Sequence, residues 1–294
     1  MGLTKRTDLI YVDQLQEAIK AAFAGKLALY GTGAAILNTS LPTLGPDGKK
    51  LAGGDTIRVP YFDTVGELQD VTEGDALVPA KLSESSETST VVHSGKAGEI
   101  TKWAQLTAQF SDPYAEYGRQ FAEAWIRRID KGLITKAAAT TLSLDISGLV
   151  GAAAQISYDA MVDASQKWND EQEDIVLAVV HSKVYGDMLK LKDTTGRPLL
   201  VDPANQGDLP RFRGIPIKVS DRIAVAGGIY DNLICKKGAL AAWANGEPEV
   251  LADKDILANS DVIAIHTYHV EHLYKRPSSG TLPGVVKLRC KAST

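Results

Sequence analysis

Cysteine is scarce in this chain of 294 residues, which holds only Cys235 and Cys290. Two thiols do not make the disulfide framework of small secreted domains, and their scarcity favours synthesis in a reducing cytoplasm. Neither cysteine lies beside a histidine or at a predicted helix N-terminus, the positions that stabilise a thiolate. The cysteines therefore indicate neither a disulfide-stapled scaffold nor a thiol enzyme.

Long apolar runs and a surplus of positive charge are also absent. No uninterrupted apolar run approaches the ~18 residues that a membrane span needs, and no apolar stretch follows the basic Lys5 and Arg6 as in a secretory signal. The formal net charge of −4 lacks the basic surplus typical of proteins that grip nucleic acid. We expect neither membrane insertion nor sequence-specific DNA binding.

Sequence motifs for catalysis and cofactors are missing as well. Gly31-Thr32-Gly33 contains G-x-G but lacks the third glycine and the preceding apolar strand of a dinucleotide fingerprint. The chain has no phosphate-binding G-x-x-x-x-G-K-[ST] loop and no G-x-S-x-G nucleophile elbow. We expect no catalytic residues and no cofactor, although sites can also assemble from residues distant in sequence.

Two groups of side chains could in principle bind a metal ion. His266, His269 and His272 lie in a predicted strand, where His269 points away from the other two, so the three cannot converge on one ion. The acidic residues before the helix lack the spacing and the glycine of an EF-hand, and a solvated loop is the simpler interpretation; they are Glu67, Asp70, Glu73 and Asp75. We expect no metal.

A long amphipathic helix is the strongest pattern that is present. Asp112-Pro113 is typical of an N-cap followed by proline at the first helical position. Apolar residues then recur every three or four positions, at Tyr114, Tyr117, Phe121, Trp125, Ile129 and Leu133. The opposite face carries Glu116, Arg119, Glu123, Arg127, Asp130 and Lys131. A helix over 113–139 would be roughly 40 Å long and would serve as a spine.

The segment before the helix predicts a projecting hairpin. Residues 55–61 alternate as a strand, and the run 84–100 has period-two patterning with little apolar content on either side. An isolated hairpin is marginal in water, so we expect it to lie on another molecule; a flexible surface loop is the alternative. Residues 1–54 predict an arm with a short helix over 11–23 and an irregular, glycine-rich stretch over 30–54, ordered by a partner surface.

The chain after the helix predicts a mixed α+β arrangement. Ser147 is a candidate N-cap for a second helix that reaches Trp168, and a third helix covers about 183–192. The run over 174–180, which is apolar after Asp174, predicts a buried strand. The prolines near 215–219 favour an edge strand. Further predicted elements are a hairpin formed by 229–235 and 239–243, a long strand over 262–275, and a closing strand over 285–288.

Four stretches resemble the major capsid protein of tailed bacteriophages, which has the Hong Kong 97-type fold. Residues 54–61 with 70–75 resemble the start of that family's extended E-loop, and 96–101 leading to Asp112-Pro113 resemble its return into the peripheral domain. Residues 214–221 are similar to an axial-domain strand, and 237–240 to the turn after it. The resemblance covers most of the chain from about residue 50 onward.

The resemblance implies the domain organisation and the function. It implies an N-terminal arm over 1–54, an E-loop over 55–101, a peripheral domain with the spine helix over 102–140, an axial domain over 141–258 and return strands over 259–294. The protein would form the pentamers and hexamers of an icosahedral shell around double-stranded DNA. Its partners would be a portal and either a separate scaffolding protein or none. It would be made in the host cytoplasm and reside in the virion.

Charge patterning leads to one hypothesis about assembly. Acidic Glu73 and Asp75 of the E-loop would meet Arg127, Arg128 or Lys131 on the spine helix of a neighbouring subunit. Two rival functions stay open: an encapsulin-type nanocompartment shell that encloses enzyme cargo, and an α+β oligomeric enzyme or binding protein of another class.

Overall fold

The structure is a computed structural model that describes residues 29, 33–38, 56–62, 70–71, 79, 81–82, 84–107, 113–201, 209–244, 249–275 and 282–293. Its helices, in chain order, are α1 (Lys102–Thr107), α2 (Pro113–Ala138), α3 (Tyr158–Gln166) and α4 (Ser182–Lys190), with a 3₁₀ turn at Gly151–Ala154. Among the helices of these residues, none is long and apolar enough to cross a membrane.

The strands of the described residues form three sheets. In chain order they are β1 (Ala35–Asn38), β2 (Thr56–Phe62), β3 (Glu84–Thr90), β4 (Val92–Thr101), β5 (Ser143–Asp145), β6 (Ile175–Val180), β7 (Leu200–Val201), β8 (Arg211–Phe212), β9 (Ile215–Val219), β10 (Val225–Ala226), β11 (Ile229–Lys236), β12 (Leu240–Ala244), β13 (Glu249–Asp255), β14 (Ser260–Leu273) and β15 (Val285–Lys291).

The larger sheet is built around the apolar strand β6. Its order is β5-β15-β11-β6-β9-β8-β7, with β10 on β11, and it mixes parallel and antiparallel pairs. One of its faces packs on α3 and α4 through Met161, Trp168 and Met188. Because strands covered on both faces are apolar throughout, the run 175–180 becomes a central strand, as its composition predicts.

The second sheet is organised by the long strand β14. This strand pairs with β13 along residues 260–266, with β4 along 260–269 and with β12 along 269–273. Strand β1 lies parallel to β12. Helix α2 packs its apolar face on this sheet and on the first one, since Trp125, Ile129 and Leu133 share one buried cluster with Leu233 and Leu240. The predicted spine helix is confirmed, with its C-terminal end one residue earlier than predicted. On its predicted apolar face, Phe121, Trp125, Ile129 and Leu133 are buried.

Strands β2 and β3 form the third sheet, a two-stranded antiparallel ribbon that confirms the predicted pairing of 55–61 with the next run. The ribbon ends at Thr90, however, because β4 leaves it and pairs with β14. Its base is not isolated either: Ile57 is buried against Trp243 and Val270 of the second sheet. The hairpin is therefore anchored on the chain's own core at one end.

Three secondary-structure predictions are wrong in detail. Ser147 does not cap a helix; α3 starts later, where the Ser157 hydroxyl accepts the Ala160 N–H at 3.1 Å. Strands β11 and β12 do not form a hairpin, because the chain turns at Gly238, with φ of +64°, from the first sheet into the second. Strand β9 lies between β6 and β8 instead of at an edge, since Pro216 falls outside the three residues that pair with β6.

Two further predictions fail because distant parts of the chain meet. Residues 35–38, predicted to be irregular, form β1 on β12, and Leu29, Ala34 and Ala35 belong to the core shared with α2. Asp130, predicted on the solvent face of the spine helix, is buried. The predicted helix over 11–23 lies outside the described residues.

Candidate intersubunit surfaces

The exposed face of α2 is a ladder of charged side chains that are already paired within the helix. Arg119 donates to Glu116 and to Glu123, each at 2.6 Å, and Arg127 lies 3.4 Å from Glu123. The hydrogen bonds from Arg119 lower the pKa of the Glu116 carboxyl to about 2. Because water and salt screen ion pairs on an exposed helix surface, the ladder sets a charge pattern more than it stabilises the fold.

The three predicted contact residues on α2 differ in their solvent exposure. Arg128 reaches inward and bonds the buried Glu271 of β14 at 3.2 Å, so it holds the helix on the sheet. Arg127 and Lys131 are exposed and face solvent. The structure thus places Arg127 and Lys131, but not Arg128, where a neighbouring molecule could meet them. Their predicted partners, Glu73 and Asp75, lie outside the described residues.

A buried polar cluster holds the base of the β2–β3 ribbon on β14. The Ser89 hydroxyl lies 2.8 Å from Nδ1 of His272, and Glu87 Oε2 lies 3.1 Å from Nε2 of the same ring. Glu87 also accepts the Lys275 backbone N–H at 3.2 Å. Burial raises the pKa of the Glu87 carboxyl and lowers the pKa of His272 to about 4. These residues fix the direction in which the ribbon leaves the sheet.

The histidines of β14 alternate between its faces, as predicted. His269 packs edge-on against Trp125 of α2, with ring centroids 5.2 Å apart, while His272 faces the ribbon. Within the described residues, no group of three histidine, cysteine, aspartate or glutamate side chains is placed to hold a metal ion. Both cysteines are buried thiols whose pKa burial raises to about 12, which leaves them protonated and inert.

A polar cleft of about 490 Å³ separates α2 from the loop after β9. On the wall of the cleft, the Arg222 guanidinium donates to Asp130 of α2 at 2.5 Å. Asp221 and Arg127 also line the cleft. Burial lowers the pKa of the neighbouring Lys218, and the negative charge of Asp130 opposes that shift. Most of the residues that line the cleft are charged, and Ser220 adds a hydroxyl group.

The turn between β13 and β14 presents two large apolar side chains to solvent. Ile256 is 90% exposed and Leu257 is 99% exposed. The base of the turn is held by Lys102, which bonds Asp261 at 2.9 Å. This surface was not predicted from the sequence, although an apolar pair in a turn, where polar residues are usual, is a signal for it.

Similarity to known proteins identifies the family of this chain. A family model described as phage capsid protein matches residues 83–272, more than half of the chain. The chain belongs to this family. A search of curated protein sequences finds no match.

Solved capsid structures share the fold at low sequence identity. The capsid of an empty GTA particle aligns with a TM-score of 0.66 and 14% identity, covering 90% of each chain. The capsid of Ralstonia phage GP4 aligns at 0.62 and 10% identity, covering 82% of this chain and 85% of that one. The capsid of Cyanophage P-SCSP1u aligns at 0.58 and 13% identity, covering 88% and 87%.

These comparisons confirm the central predictions made from the sequence. The fold is the α+β, Hong Kong 97-type fold of phage capsids, and the protein is a structural major capsid protein. Neither rival function, the cargo-enclosing nanocompartment or the oligomeric enzyme, receives support. For a phage capsid protein, the exposed surfaces described above are candidate contacts between subunits.

Proposed function

We propose that this capsid protein assembles into pentamers and hexamers of an icosahedral shell that encloses double-stranded DNA. The observation that carries the proposal is the family match over residues 83–272, supported by the shared fold along nearly the whole chain. The role is purely structural, with no catalysis. The subunit is made in the host cytoplasm, resides in the virion and works with a portal and a separate scaffolding protein.

The β2–β3 ribbon supports a contact that reaches over a neighbouring subunit. Ile57 and Ser89 at its base are buried, whereas Phe62 and Glu84 at its far end are exposed. A two-stranded ribbon gains little stability alone, and an exposed phenylalanine gains most from a partner surface. We assign this ribbon as the E-loop that covers an adjacent subunit in the shell.

The chain's two main sheets support the predicted division into domains only in outline. The first sheet contains β5 to β11 and β15, and the second contains β1, β4 and β12 to β14. The proposed axial domain, 141–258, therefore includes β12 and β13 from the second sheet. The boundaries of the arm (1–54), E-loop (55–101), peripheral domain (102–140) and return strands (259–294) stay part of the proposal.

Weak electrostatic attraction to DNA suits a shell that packs and releases a genome. The formal net charge of the subunit is −4, so it supplies no large counterion-release term. Stability of the shell then comes from many modest protein interfaces acting together. DNA is enclosed without sequence-specific contacts in this proposal.

In this proposal, ion pairs between neighbouring subunits set their relative position during assembly. Glu73 and Asp75 of one subunit would meet the basic face of α2 on another, and the structure favours Arg127 and Lys131 as the partners because they are exposed. We expect Glu73→Lys with Asp75→Lys to block assembly at low salt. Adding Lys131→Glu should partly restore it, and normal assembly of the first variant would refute the hypothesis.

Electron microscopy of the purified full-length protein tests the proposal as a whole. Negative staining, with a sizing column alongside, should show closed shells or rings of five and six subunits. If shells purified from cells enclose an enzyme instead of DNA, the nanocompartment function would be favoured. A protein that stays monomeric at high concentration, and also when co-expressed with the phage's scaffolding protein, would contradict self-assembly.

A further inference from the structure

Two histidines meet on the outer face of the second sheet, where β4 runs beside β14. Nε2 of His93 lies 3.2 Å from Nδ1 of His266. In the strand register His93 stands opposite Tyr268, so His266 is its diagonal neighbour on the same face. Diagonal neighbours in an antiparallel pair are within reach of aromatic side chains, which explains how two rings distant in sequence come together.

Two neighbouring residues hold the rings in this arrangement. Gly95 stands directly opposite His266, and a Cβ there would lie 3.0 Å from His266 Nδ1 and 2.9 Å from the Ile265 carbonyl oxygen. Only glycine leaves space for the His266 ring at this distance. On the other side the Tyr268 ring packs on His93, with centroids 4.6 Å apart and planes 18° apart.

The separation of the two nitrogens is the one that bidentate metal coordination requires. Imidazole nitrogens bind zinc at about 2.0–2.1 Å, so two of them on one ion are roughly 2.9–3.4 Å apart in octahedral or tetrahedral geometry. Imidazole also suits copper and nickel, with Cu²⁺ bound most tightly of the divalent series. The 3.2 Å separation lies within this range. The two rings are stacked with planes 19° apart, so binding requires that they turn from this arrangement until both nitrogens face one ion.

We propose that His93 and His266 form a bidentate surface site for a divalent first-row transition metal of the imidazole-preferring class. The proton that one ring nitrogen now donates to the other would move to the second nitrogen of its own ring, so both rings coordinate as neutral imidazoles. Since no third protein ligand is in place among the described residues, water completes the coordination. Affinity should follow the order Cu²⁺ above Ni²⁺ and Zn²⁺.

The other histidines cannot supply this site, and all five lie in the described residues. His269 and His272 are buried. His181 accepts the Lys183 N–H with its Nδ1 at the start of α4, and no second histidine is placed beside it. A binding signal from histidine nitrogen can thus be traced to one pair by substitution.

Titration calorimetry with CuSO₄, NiCl₂ and ZnCl₂ on the full-length protein tests the site. We expect one metal site per subunit. In His93→Ala and in His266→Ala the affinity should fall by more than the about 10–100-fold that is lost when a group supporting a ligand is removed. Gly95→Ala should weaken binding by displacing the His266 ring. His181→Asn, which can still cap α4, is the matched control and should bind like the parent protein.

Electron paramagnetic resonance of the Cu²⁺ complex gives an independent readout of the ligands. Two coordinated imidazole nitrogens should appear in the parent protein and in His181→Asn, and fewer in either single variant of the pair. Because His93 is exposed and His266 half-buried, circular dichroism should show all variants folded. Equal binding by the parent and by His93→Ala with His266→Ala would overturn the proposal.

Discussion

Removal of the Arg222 side chain should destabilise the fold through Asp130, and the structure sets the size of the effect. Asp130 lies on α2 with its side chain only 3% exposed, and the Arg222 guanidinium donates to it at 2.5 Å. Arg222→Ala would leave a buried carboxylate without its nearest cation. Such a loss costs about 3–5 kcal/mol when both partners are fully buried.

Two features of the site reduce that figure. The Arg222 side chain is 33% exposed, so water already screens part of the attraction. Lys218 lies near enough for the charge of Asp130 to act on its pKa, and it remains in the variant. We therefore expect a loss of about 2 kcal/mol, which corresponds to a fall in Tm of roughly 4–8 °C for a chain of this size.

Urea unfolding of the unassembled subunit, followed by tryptophan fluorescence, measures this loss. Trp125 lies on the same helix in the buried core and reports its unfolding. Arg127→Ala is the matched control: it removes an exposed arginine whose 3.4 Å pair should contribute at most about 0.5 kcal/mol. Asp130→Asn should recover part of the loss when added to Arg222→Ala. A loss in Arg222→Ala no larger than in Arg127→Ala would refute the reasoning.

Three further predictions concern packing, thiols and pH. Gly98→Ala should lower the Tm measured by scanning fluorimetry, because the added Cβ would lie 2.3 Å from the Tyr117 ring, and Tyr117→Ala should relieve the clash. Cys235 and Cys290 should react with a thiol reagent only at the rate of unfolding, since both are buried with a pKa of about 12. Burial lowers the pKa of His272 to about 4 in the folded state, against about 6.5 for an ordinary histidine, so stability should fall by up to about 3 kcal/mol as the pH is lowered from 6.5 to 4. Unfolding midpoints in His272→Gln should lack that part of the slope.

The parts of the fold that the sequence predicts well are those with local, repeated patterns. Helix α2 follows from apolar residues at every third or fourth position, and the apolar run of β6 marks a strand buried on both faces. Strand β14 is likewise visible as a long β-branched and aromatic run. In each case neighbours along the chain carry the signal, so no knowledge of distant contacts is needed.

The errors arise where distant residues decide the outcome. The turn at Gly238 is typical of a hairpin, but the buried strands on either side of it belong to different sheets. Asp130 has the helical position of an exposed residue, yet Arg222, which comes 92 positions later, makes its burial possible. No local pattern contains that information.

The ribbon shows how such long-range pairing shapes the proposed contact surface. Glu87 and Ser89 are polar residues that indicate solvent exposure by composition, and the structure buries both against His272. A buried polar cluster is costly unless its members are satisfied together, so it holds the base of the ribbon in one direction instead of letting it swing. At the far end of the described strands, Phe62 is exposed. A fixed base and a free apolar end are what a subunit needs to reach a neighbour at a defined angle and gain stability only when that neighbour is present.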